Sequence, residues 1–159
     1  MQSTLSELEQ EVIDVFVRMA GVLNLQRSVG ELYGLLFISP EPLCINDCMN
    51  KLNISKGSTS QGLKILRSFG AVKPVYIPGD RRDFFEAESA LRKIVTGFVN
   101  EQVRPHLENG KERMARLESL AAASSDEQEF FLERIKRLRS WQKHANLLLP
   151  FALNFIKSD

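Results

Sequence analysis

The chain has 159 residues, 43% hydrophobic and 26% charged, with 21 Lys and Arg against 20 Asp and Glu. This balance excludes disordered and collagen-like chains, and at this length a core can form without disulfides or metal because roughly two-thirds of the unfolded surface is buried. The net charge of +1 hides a division: residues 1–54 hold three basic and seven acidic side chains, residues 55–82 hold six basic and one acidic, and residues 83–159 hold twelve of each.

In chain order, Thr4 and Glu7 fit a capping box, and Leu5, Leu8, Val12, Phe16 and Met19 recur at helical spacing. The pattern predicts a helix over about 5–20, ending near Gly21 and Asn24. A second helix, 26–38, places Val29, Leu32 and Leu36 on one side and stops at Ser39-Pro40-Glu41-Pro42. Gly30 and Gly34 lower its propensity and point to close packing. Asn46 is expected to cap a short helix over 47–52, Asn53-Ile54 to turn, and Ser55 to cap a helix over 56–69 closed by Gly70. A short helix, a tight turn and a capped second helix make a helix-turn-helix.

After Gly70 the period changes. Residues 71–77 and 83–87 are rich in β-branched and aromatic types, with Pro78-Gly79-Asp80-Arg81 as turn chemistry between them, so a β-hairpin with a basic tip is expected. Pro74 makes the first strand an edge or a bulged one. From Ser89 a helical period resumes to Leu120, with a kink expected near Pro105. After a turn at 121–126, Phe131, Ile135, Leu138, Trp141, Ala145, Leu148, Ala152 and Phe155 mark a last helix, expected to bend at Pro150.

On the 56–69 helix, Thr59, Gly62, Leu63, Leu66 and Phe69 form one stripe, which turns Lys56, Ser58, Ser60, Gln61, Lys64 and Arg67 outward. A small, polar, basic face of this kind can enter a major groove, where Gln pairs with adenine, Ser with phosphate or a base edge, and Lys with guanine or phosphate. Local positive charge is what a polyanion binder needs. The bland alternative is a solvated helix face. The expected DNA-binding residues are Ser55, Lys56, Gly57, Ser58, Ser60, Gln61, Lys64, Arg67, Lys73, Arg81 and Arg82.

Other signals fail. Gly57 and Gly62 have phosphate-loop spacing, but Leu63 stands where the lysine belongs. Cys44 and Cys48 read as buried small residues in a reducing compartment, and with His106 and His144 they do not suggest a zinc site. No nucleophile or metalloprotease motif is visible, so neither enzyme activity nor a cofactor is expected. The acidic start does not resemble a signal peptide and the apolar runs fall far short of a ~20-residue span, so a cytoplasmic protein without a membrane partner is expected. Phe98, Phe130, Phe131, Trp141, Phe151 and Phe155 read as core and subunit interface, with a cage for a quaternary ammonium ion as the alternative.

The stretch 25–88 resembles the MarR-like winged helix-turn-helix regulators, and most closely their GbsR branch. The features that carry it are Tyr33-Gly34-Leu35-Leu36, the proline-flanked approach to the motif, Asn53-Ile54-Ser55-Lys56-Gly57-Ser58-Thr59-Ser60, Gly70 with Val72, and residues 78–87, PGDRRDFFEA. The resemblance implies a mainly α fold with a small β-hairpin, a dimeric DNA-binding regulator, commonly a repressor, and an osmoprotectant-type effector in some members. No effector-site residue matches one by one. The expected organisation is an N-terminal dimerisation helix over 1–24, a winged helix-turn-helix domain over 25–88 and a helical dimerisation region over 89–159. The long apolar stripes suggest homodimerisation. The competing reading is a protein-interaction module on the same fold.

Overall fold

The computed structural model describes residues 5–124 and 126–155. They fall into two compact units divided between Gly97 and Phe98.

In the first unit, α1 (Glu7–Val22) and α2 (Arg27–Ile38) pack side by side. The start of α1 corrects the expected cap. Ser6 is the N-cap, its hydroxyl accepts the Glu9 N–H at 3.2 Å, and the Glu9 carboxylate accepts the Ser6 N–H at 2.7 Å. Thr4 lies outside the described residues. After α1 the chain turns through Asn24 at φ +56°, and α2 buries Val29, Leu32, Tyr33, Leu35 and Leu36.

The glycines of α2 set how close α1 can come. A Cβ on Gly30 would lie 2.6 Å from the Phe16 carbonyl oxygen and 2.7 Å from the Val17 Cα, and one on Gly34 would lie 2.8 Å from the Ile13 Cα. These are backbone atoms of a helix and cannot yield as a side-chain tip would.

Strand β1 (Leu43–Cys44) leads into α3 (Ile45–Leu52), whose N-cap is Cys44 rather than the expected Asn46. The reason is Asp47 at the third helical position, whose Oδ2 accepts the Cys44 N–H at 3.0 Å. Asn53 at φ +52° makes the tight turn into α4 (Lys56–Ser68). Ser55 caps α4, its Oγ accepting the Ser58 N–H at 3.1 Å, and Gly70 closes it at φ +72°.

Strands β2 (Val72–Val75) and β3 (Phe84–Ala87) form the hairpin, but the sheet has three strands rather than two, in the order β1-β3-β2, antiparallel throughout. Cys44 pairs with Phe84 on one side of β3, and Val75 pairs with Phe84 on the other. Pro74 sits on β2, an edge strand, as its missing donor requires. Tyr33 ties α2 to the end of β3: its hydroxyl donates to the Glu88 carbonyl at 2.6 Å, and burial raises its pKa to about 12. Helix α5 (Leu91–Phe98) follows.

In the second unit a π-helical turn, Val99–Val103, precedes α6 (Arg104–Ala122). Where a kink at Pro105 was expected, the wide turn takes up the proline, and the Arg104 N–H bonds five residues back to Val99. Helix α7 (Gln128–Phe155) continues through Pro150. It packs on α6, with Arg139 bonded to Glu118 at 2.6 Å and Gln142 beside Gly110.

The glycine contacts give opposed expectations. Gly30→Ala and Gly34→Ala should each destabilise the chain by about 1–3 kcal/mol, because overpacking exceeds the gain in helix propensity. Gly21→Ala, in α1 with nothing within 4 Å of the new Cβ, should stabilise by about 0.5–1 kcal/mol. Urea unfolding of the three variants checks the signs.

Candidate nucleic-acid interface

Helix α4 has two faces. Thr59, Gly62, Leu63 and Leu66 are buried, and Phe69 beyond its end is buried with them. Thr59 is fully inside, and its hydroxyl donates to the Ser55 carbonyl at 2.9 Å. Gly62 is needed where α4 meets α2, since a Cβ there would collide with the tip of Leu32. Lys56, Gly57, Ser58, Ser60, Gln61, Lys64 and Arg67 are all exposed. Gly57, Ser60, Gln61 and Lys64 line a shallow depression together with Ile65 and Ser68, two residues that the sequence reading left out.

The outward side chains differ in how far they are committed. Ser55 and Ser58 are tied together, the Ser55 hydroxyl donating to Ser58 Oγ at 3.0 Å, so they define the end of the helix. Among the described residues no ion pair holds Lys56, Lys64 or Arg67. The helix N-terminus adds backbone donors and a positive dipole end beside Lys56.

The hairpin separates its cations. Arg82 is held by Asp80, with Nη2 to Oδ2 at 2.6 Å and Nε to Oδ1 at 3.0 Å, while the Asp80 carboxylate also accepts the Arg82 N–H at 3.0 Å. Its guanidinium lies over the Phe84 ring at 5.0 Å and reaches the Cys44 sulfur at 3.7 Å. These Arg82 hydrogen bonds lower the Asp80 pKa to about 2. Arg81 is exposed, without an ion pair among the described residues, next to the turn that Gly79 makes at φ +86°. Tyr76, 82% exposed on the same hairpin, was not singled out from sequence.

Lys73 is shared between Glu86, opposite it across the ladder at 3.7 Å, and Glu88 at 3.4 Å. Glu88 also receives Lys93 at 3.3 Å and the Ala90 N–H at 3.0 Å. The Ala90 bond comes first among the causes that lower its pKa to about 2. Glu88 therefore joins the hairpin base to the start of α5, and Lys73 belongs to that joint.

A cavity of about 190 Å³ lies within the first unit. Phe16, Tyr33 and Phe37 form a ring cluster on one side of it, with centroids 4.7–6.0 Å apart. This cluster comes from α1 and α2, where the sequence reading had placed its aromatic alternative on the terminal helices. Both cysteines are buried, and burial pushes the Cys48 thiol up to about 12, which makes it unreactive.

Comparison with known proteins agrees with the architecture. Residues 35–73 match the bacterial regulatory protein, arsR family, a span that runs from the end of α2 into β2. Over 87 residues the chain is 33% identical to the HTH-type transcriptional repressor GbsR of Bacillus subtilis (strain 168), covering 55% of this chain and 48% of that protein. The chain thus spans about half the length of this curated relative. A solved structure described as the crystal structure of a transcriptional regulator superposes with a TM-score of 0.59 at 22% identity, covering 92% of this chain and 95% of the other.

Asp80 and Arg82 give a direct test of the hairpin geometry. Arg82→Ala should move the Asp80 midpoint from about 2 toward the ordinary value near ~3.9, read from its carboxyl resonance. In the native chain the stabilisation from this pair is complete above the ordinary carboxylate range and is lost as pH falls through about 2. An unmoved midpoint in the variant would show that the ion pair does not form. By fold, the chain is a winged helix-turn-helix protein, with α3 and α4 as the helix-turn-helix and the β2–β3 hairpin as its wing.

Proposed function

We propose that this protein is a sequence-specific, double-stranded DNA-binding transcriptional regulator of the MarR-like, GbsR-type group, acting in the cytoplasm as a homodimeric repressor. The observation that carries the reading is the outer face of α4, where Ser60, Gln61, Lys64 and Arg67 are exposed together while the opposite face is buried against the domain. Such a helix presents donors and acceptors at major-groove depth and keeps cations free for phosphate. The likeness of 55% of the chain to a named repressor supports the reading, as does the regulatory family model that matches residues 35–73.

In this assignment Gln61 and Ser60 face base edges, Ser58 lies at the groove-facing end of the helix, and Lys56, Lys64 and Arg67 meet phosphates. Ser55 and Gly57 shape the helix start. Arg81 reaches the minor groove while Arg82, Asp80 and Lys73 stiffen the wing. The apolar side chains exposed on α1 and α7, including Leu8, Val22, Trp141 and Leu148, support a dimer with an interface above ~2,000 Å². A two-fold dimer calls for a pseudo-palindromic operator with half-sites ~34 Å apart. The effector implied by the family resemblance has a candidate seat in the cavity beside Phe16, Tyr33 and Phe37, whose apolar lining suits a small uncharged molecule.

Titrating the protein against a selected duplex and a random duplex at several salt concentrations tests this function. Selective binding with a steep salt slope is expected, and equal weak binding to both duplexes would favour a protein-interaction module instead. On the selected duplex, Gln61→Ala should change the preference at one base pair by ~1–3 kcal/mol, whereas Lys64→Ala should weaken all sequences alike. Arg81→Ala should lose more affinity on sites with A·T-rich flanks than on G·C-rich ones, because the narrow minor groove concentrates negative potential. The same loss on both flanks would place Arg81 on the phosphates.

A further inference from the structure

Helix α7 carries two seams. One faces α6: Arg139 and Gln142 make the contacts described above, and Asn146 and Leu149 line a depression shared with α6 residues Arg104 and Leu107. The other lies roughly 100° away round the helix axis, at 3.6 residues per turn. It contains Arg134, Leu138, Trp141, Ala145, Leu148 and Ala152, all exposed in the single chain, with Trp141 at 68% and Leu148 at 66%. Their intervals alternate four, three, four, three and four, the spacing of positions a and d in a coiled coil. Pro150 falls outside this seam, so it does not interrupt the contact line.

We propose that this seam is occupied by the α7 helix of a second copy, running antiparallel, with Trp141 of each chain packed on Ala145 of the other. The proposal rests on the dimer reading above and specifies its geometry. Side-chain volume and charge both select the direction. In a parallel, in-register pair each residue meets itself, which stacks Trp141 on Trp141, leaves Ala145 and Ala152 facing their own small copies, and puts two Arg134 guanidinium groups in one layer. In an antiparallel pair a positions face d positions. The register that places Leu138 on Leu148 then sets Trp141 over Ala145 and Arg134 over Ala152, a large side chain on a small one in both layers. The two-fold axis produces each of these layers twice.

Shifting the register by one heptad removes the match or the contact length. In one direction Trp141 meets Leu138 and Arg134 meets Ala145. In the other the helical overlap shrinks to residues 138–155. Arg134, whose guanidinium lies 4.9 Å from the Phe130 ring centroid, keeps room beside Ala152 to extend to the edge of the seam.

Disulfide trapping in the full-length chain tests the pairing. The double variant Leu138→Cys/Leu148→Cys should form a covalent dimer on mild oxidation, while each single variant should not, because like positions would lie ~15 Å apart along the axis. The native chain, whose two cysteines are buried, is the control. Trp141→Ala should raise the dimer dissociation constant about thirtyfold, and adding Ala145→Trp should restore most of it by exchanging the two sides of the same layer. Circular dichroism checks that each variant remains helical. A native chain that sediments as a monomer at micromolar concentration would overturn both the dimer reading and this geometry. A native dimer whose single cysteine variants cross-link, or which is indifferent to Trp141→Ala, would overturn the antiparallel seam and leave the dimer reading standing.

Discussion

Three partners converge on α2, and the first unit depends on that helix being narrow on one side and fully apolar on the other. Gly30 and Gly34 let the α1 backbone come within van der Waals range, Leu32 fills the space that Gly62 leaves in α4, and Tyr33 crosses to the end of the wing. Leu32 and Leu35 have no exposed surface at all. Interiors packed to this density transmit displacement rather than absorb it. A shift of α1 against α2 would therefore move both elements that the proposed function sends to DNA, the recognition helix through Leu32 and the wing through Tyr33 and Glu88.

The cavity lies along the same line. Tyr33 contributes its ring to the wall and its hydroxyl to the Glu88 carbonyl, and Glu88 holds Lys73 on β2 and Lys93 on α5. A molecule pressing on that ring would act on a buried hydrogen bond without a solvent substitute, which costs about 1–3 kcal/mol to leave unmade. This exceeds what an exposed ion pair at the wing could restore, so the hydroxyl is the stiff member of the chain and the surrounding charges are the compliant ones.

Local rules made most of the first unit legible. Ser55, Asn53 and Gly70 act within a few residues of themselves, and they bound α4 where their chemistry said they would; the buried stripe of α4 follows from helical spacing alone. Legibility ended where a residue's role depends on something distant in sequence. The two-residue strand Leu43–Cys44 exists only because β3 lies beside it forty residues later, so no local period could reveal it. Cys44 displaced Asn46 as a cap because Asp47 stands at the right helical position, and Ser6 caps α1 through Glu9 for the same kind of reason, so the reciprocal partner, not the first plausible cap residue, fixes the start. The turn at Pro105 was visible as a disruption, while its resolution as a π-turn depends on which carbonyl the Arg104 N–H finds. Of the candidate interface, the α4 face was readable from spacing, and strand alternation beside Asp80 already assigned different jobs to Arg81 and Arg82, of which the Arg82–Asp80 pair is the part the geometry shows.

That division changes what the basic segment means. Of the six cations between residues 55 and 82, Lys73 and Arg82 have carboxylate partners, which among the described residues leaves Lys56, Lys64, Arg67 and Arg81 without one. The paired cations sit at the two ends of the wing, its base and its tip, where a two-stranded ribbon with little core of its own most needs fixing. The unpaired ones sit on α4 and beside the turn. A cation already matched by a carboxylate releases fewer counterions when it approaches a phosphate, so it adds little to polyanion affinity while it keeps the unmatched ones in place. Charge that a sequence count lumps into one basic segment is therefore split by the fold into paired and unpaired cations among the described residues, the unpaired being those that the proposed function sends to DNA, and the split follows from where Asp80, Glu86 and Glu88 fall in the hairpin.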